Sequence, residues 1–78
     1  MKDKVLILED DTTTCLYYVP LSQIAYMTTD DEVMRGRVIL KNPQAVQTDS
    51  GIEQDVIQIS GIDLDMTLKD WMDYIKGE

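Results

Sequence analysis

The sequence predicts a mainly β domain, a small barrel or rolled sheet of about five short strands followed by one helix. Three observations carry that expectation. Apolar runs are short and broken by turn-forming residues at close spacing, the apolar period changes from two to three or four only in the last segment, and 78 residues leave room for one core. The expected organisation is therefore a single domain over residues 1–78. A chain this short buries only about 60–65% of the surface its unfolded form exposes, so association of subunits is expected from size alone.

Lys4 to Glu9 reads as the first strand, because Val5-Leu6-Ile7-Leu8 is a continuous apolar run ending at Asp10-Asp11. Continuity predicts burial of both its faces. Thr13 to Val19 reads as a second strand, joined to the first as an antiparallel hairpin. Pro20 stops it, having no N–H for a ladder. Leu21 and Ile24 then fit a single turn, and Ile24 to Thr28 resumes as strand before a reversal at Asp30-Asp31-Glu32.

Val33 to Lys41 is the longest expected strand. Met34, Gly36, Val38 and Leu40 fall on one face, with Arg35, Arg37 and Lys41 on the other beside Val33 and Ile39. A glycine at position 36 suggests a bend or bulge that curls the sheet. Asn42-Pro43 and Asp49-Ser50-Gly51 are turn signals around a short piece from Ala45 to Thr48. Asp55 to Ser60 is the last main strand, with Ile57 and Ile59 inward.

Beyond it, Ile62, Leu64 and Met66 alternate one step out of phase, as a bulge at Gly61 would produce. Leu68, Trp71, Met72 and Ile75 then stand at i, i+3, i+4 and i+7, the stripe of an amphipathic helix. Thr67 is the expected N-cap, with Asp70 completing a capping box, Asp63 and Asp65 near the positive end, and Lys76 and Gly77 closing the helix.

Composition excludes most familiar chemistry. Without histidine and with one cysteine, the chain has no Ser/His/Asp triad, no Cys/His dyad and no zinc site built on those ligands. Its four glycines are scattered and form no phosphate loop. Asp63-Leu64-Asp65 in an extended stretch has the spacing to chelate magnesium or calcium, although acids before a helix more often serve its N-terminus. Asp10-Asp11 and Asp30-Asp31-Glu32 read as solvated turns, Cys15 as a small core hydrophobe and Trp71 as the helix's anchor. The expectation is a non-enzymatic protein with no cofactor.

Fifteen acidic against seven basic residues give a net charge of −8, which repels nucleic acid and anionic membranes at long range. No apolar run approaches a membrane span and the N-terminus lacks a signal-peptide pattern, so the expected location is the cytoplasm of a host cell. Three of the seven cations nonetheless share the face of one strand. That makes Arg35, Arg37 and Lys41, with Tyr17, Tyr18 and Tyr26 as stacking surfaces, a candidate phosphate or base contact. The competing reading is that these cations pair with nearby carboxylates or guard a strand edge.

The stretch from Gly36 to Val46, in which Leu40, Asn42, Pro43 and Val46 form a Leu-x-Asn-Pro run followed by a valine strand, resembles small Sm-like proteins of marine bacteriophages. The resemblance implies a strongly bent five-stranded Sm-like barrel, to which the apolar stripe of the last segment adds one short C-terminal helix. It further implies subunits joined edge to edge in a homo-oligomeric ring, with RNA as the usual ligand. Together with the basic strand face, the leading expectation is a ring that binds single-stranded RNA or DNA through Arg35, Arg37, Lys41 and Asn42. The alternative is an acidic protein-interaction adaptor of phage origin, with no nucleic-acid ligand.

Overall fold

The structure is a computed structural model that describes residues 4–30 and 35–77. Among them are six strands: β1 (Val5–Glu9), β2 (Leu16–Pro20), β3 (Ile24–Asp30), β4 (Arg35–Leu40), β5 (Gln47–Thr48) and β6 (Val56–Ser60). One helix, α1 (Gly61–Lys76), follows. The expected reversal at Asp31-Glu32 and the start of the long strand at Val33 and Met34 lie outside the described residues.

The strands form two antiparallel three-stranded sheets, ordered β1-β2-β5 and β3-β4-β6. Pro20 ends β2, and the 3-10 turn Leu21–Gln23 carries the chain from one sheet to the other with Leu21 and Ile24 buried. One core joins both sheets and the helix: Leu8, Tyr17 and Val19 meet Ile24, Val38, Leu40, Ile57, Ile59 and Leu64, with Cys15 among them. Each fully buried aliphatic side chain contributes roughly 1.5–3 kcal/mol, so this cluster is the main stabilising term.

Three features replace the expected five-stranded barrel. Among the described residues β1 and β6 do not pair as a ladder, so the sheets do not close. The 3-10 turn after Pro20 and a register shift between Ile24 and Tyr26 interrupt the strand pairing, whereas at Gly36 pairing to Thr29 and Ile59 is continuous, so no bulge lies there. Gly36 instead admits the helix: a Cβ there would lie 2.5 Å from the Leu64 Cβ and Cδ2.

The helix also begins earlier than its period suggested. Ser60 is the N-cap, its Oγ accepting the Asp63 N–H at 3.2 Å, so Gly61 is helical and not a bulge. Thr67 is buried in mid-helix and caps nothing, and Asp70 completes no box. The face on the sheets carries Leu64, Thr67, Leu68, Trp71 and Tyr74, while Met72 and Ile75 are exposed. At the other end the Gly77 N–H donates to the Asp73 carbonyl, with Lys76 in the last turn. Ile62 and Met66, whose alternation imitated a strand, face outward.

Candidate functional site

The basic face is partly assembled. On β4, Gly36, Val38 and Leu40 point inward as expected, which puts Arg35, Arg37 and Ile39 on the outer face of the second sheet. Cross-strand pairing sets Thr28 and Gln58 on either side of Arg37, and Tyr26 and Val56 on either side of Ile39. Tyr26 is 53% exposed and a diagonal neighbour of Arg37, within reach of long side chains. The Arg35 Nη1 donates to the Gln58 Oε1 at 3.4 Å.

Lys41 and Asn42 stand apart from this group. Lys41 follows β4, six residues and roughly 20 Å of strand from Arg35, and lines a shallow pocket with Trp71, Tyr74 and Ile75. The Asn42 Oδ1 accepts the Gln44 N–H at 3.1 Å, so its side chain serves the 3-10 turn Pro43–Ala45. Of the other tyrosines, Tyr18 is on the outer face of the first sheet, and Tyr17 is 1% exposed. The Tyr17 hydroxyl donates to the Ile52 carbonyl at 3.0 Å and lies against the Gln54 Oε1. Burial, then the nearby Cys15 and Asp10, push its pKa above the ordinary tyrosine value, against smaller opposing hydrogen bonds.

Asp10 is not a solvated turn residue. It is 1% exposed, and its Oδ1 accepts the N–H groups of Thr12 at 2.8 Å and Thr13 at 3.0 Å while its Oδ2 accepts that of Gln58 at 3.1 Å. The Asp11 N–H donates to the Gln58 carbonyl at 2.8 Å. The carboxylate thus ties β1 to β6 where no ladder exists. The tight return it supports includes Thr14 at φ 59°, a left-handed conformation unusual for a β-branched residue.

Away from that corner β1 and β6 part, and a groove of about 260 Å³ opens between β1 and the first turns of α1. It is lined by Leu6, Ile7, Leu8 and Glu9 of β1, by Ile59, and by Asp63, Met66, Thr67 and Asp70 of the helix. The continuous apolar run of β1 therefore does not bury both faces: Leu8 is in the core, whereas Ile7 is 65% and Val5 is 53% exposed. Met66, on the helix side of the groove, is 64% exposed, and Ile62, one turn before it on the helix, is 77% exposed. The one signal for this surface in the sequence was an apolar run longer than a one-sided strand requires.

Metal chemistry at Asp63 and Asp65 loses its geometric basis, because in a helix two residues separated by one are rotated by about 200° from each other. Among the described residues no three Asp, Glu or Cys side chains are grouped to hold a metal ion. No helix among them is long and apolar enough to cross a membrane. Compared with protein-family models, curated proteins and solved structures, the chain matches none.

Proposed function

We propose that this chain is a non-enzymatic protein-interaction module whose acidic surface engages a basic partner. The observation that carries the reading is the exposure of Ile7 and Met66 in one groove lined also by Glu9, Asp63 and Asp70. Large aliphatic side chains grouped in water at an acid-rimmed concavity favour burial by an apolar surface that carries cations. The net charge of −8 supplies the long-range attraction for such a partner.

A second reading rests on the outer face of the second sheet, where Tyr26 offers a stacking surface beside Arg35 and Arg37. It takes single-stranded nucleic acid as the ligand and keeps the homo-oligomeric ring implied by the Sm-like resemblance. Titrating the full chain with labelled single-stranded RNA and DNA and with a labelled lysine-rich peptide, at low and physiological salt, separates the two. The first reading expects peptide binding and no oligonucleotide binding. Oligonucleotide affinity that falls steeply with salt and is lost in Arg35→Glu/Arg37→Glu, with no peptide bound, overturns it.

A further inference from the structure

We infer that the groove between β1 and α1 accepts an extended basic peptide as an added strand on the free edge of β1, with alternate apolar side chains lodged against Ile7 and Met66. The inference rests on the protein-interaction reading and specifies where and in what form the partner binds.

The register of the first sheet fixes which backbone groups are free. The Leu21 N–H donates to the Lys4 carbonyl and the Asp10 N–H to the Cys15 carbonyl, so residues 4 and 10 lie at hydrogen-bonded pairs of the β1–β2 ladder. Such pairs alternate along an antiparallel ladder. Leu6 and Leu8 therefore bond to β2, while the N–H and C=O of Ile7 and Glu9 point out of the sheet edge, toward the groove. Among the described residues nothing pairs with them. At Asp11 the same outward parity is satisfied by Gln58, which shows the direction from which a partner strand would come.

The groove's chemistry selects the occupant. Its apolar lining is Leu6, Ile7, Leu8, Ile59 and Met66, of which Ile7 and Met66 are exposed, and its ionisable members are Glu9, Asp63 and Asp70, all acids. Lys4, whose Nζ lies 3.2 Å from the Asp70 carboxylate, is exposed and neutralises only one of them. A second copy of this chain would bring the same acids and its own charge of −8 to the contact. A nucleic acid would bring phosphates. A cationic chain matches both the rim and the overall field. A volume of about 260 Å³ is below the roughly 300–1,000 Å³ that encloses a small molecule. It suits individual side chains of a strand lying along the edge, with main-chain bonds giving affinity and alternate side chains giving specificity.

The test uses the full chain and three labelled short peptides: one alternating lysine with valine, one alternating lysine with serine, and the lysine-valine peptide N-methylated at every other residue. The expected result is binding of the first, at least tenfold weaker binding of the other two, and slowed amide exchange at Ile7 and Glu9 in the complex. Ile7→Lys and Met66→Lys, both at exposed positions, should each weaken it tenfold or more, and Arg35→Glu should not. Equal binding of all three peptides, or lysine-valine binding without protection of Ile7 and Glu9, overturns the edge site and leaves the adaptor reading standing. If no lysine-bearing peptide binds the folded chain even at low salt, both fail.

Discussion

The two ends of the gap between β1 and β6 differ in how the backbone is satisfied. At Asp10 a buried carboxylate stands in for a missing ladder, holding three amides and drawing Gln58 against Asp11. Three residues earlier, at Ile7, the same edge is open onto a groove lined by Ile59 and the first turns of the helix. The difference teaches that the sheets stay open by construction. One acid seals the corner, Ser60 turns the chain into α1 before β6 can pair further with β1, and the uncovered edge is left with apolar neighbours and an acidic rim.

The largest effect is expected from breaking the sealed end. Asp10→Ala leaves the amides of Thr12, Thr13 and Gln58 without their acceptor, at a cost of about 3 kcal/mol or more. A domain has roughly 0.05–0.15 kcal/mol of stability per residue, so this takes a large share of the whole. Urea denaturation followed by tryptophan fluorescence should show a much lower midpoint. Asp10→Asn should fall between, since it keeps one oxygen for Thr12 and Thr13 but sets an NH2 against the Gln58 N–H. A midpoint for Asp10→Ala equal to that of the parent would mean the corner is held by something else.

Next comes the wall of the open end. Gly36→Ala forces its Cβ onto Leu64 and should cost about 1–3 kcal/mol by overpacking. Adding Leu64→Ala should recover little, because the Leu64 Cβ that lies 2.5 Å from the new atom remains. Full recovery in the double variant would show that the helix is free to shift at that point. Ser60→Ala, which removes the cap of α1, should cost about 1 kcal/mol, read as a lower thermal midpoint with reduced helical circular dichroism.

The smallest effect is confined to alkaline solution. Tyr17 is neutral when buried and its folded pKa lies above its unfolded value of 10.0. Its contribution is thus fully present below the unfolded pKa and is lost as pH rises through the folded one. Denaturation midpoints across pH 8 to about 11 should fall more steeply in the parent than in Tyr17→Phe. Identical slopes would remove Tyr17 as the cause.

Much of this fold was legible because alternation and spacing report local preference. The inward set Val38, Leu40, Ile57 and Ile59, the turn at Leu21, the antiparallel hairpin and the buried Cys15 all follow from residue type and period. The candidate site was legible only in part. Arg35 and Arg37 share a face as strand geometry requires, but Lys41 lies beyond the strand and Asn42 is occupied by its own turn. The Ser60 cap seen in the structure was concealed by the alternation of Ile62, Leu64 and Met66, which imitates a strand. Thr67 on the buried face hid the true stripe.

What the sequence determined by itself is a mainly β chain with a C-terminal amphipathic helix, and a surface dominated by acid. Those properties depend on neighbours within a few residues. Tertiary structure decided that Asp10 is a buried clasp, that Gly36 is a seat for Leu64, and that β1 keeps an open edge. Each depends on a group brought from far along the chain. The Thr12 and Thr13 amides are local partners of Asp10, but the Gln58 amide comes from 48 residues along the chain, and no local pattern encodes that contact.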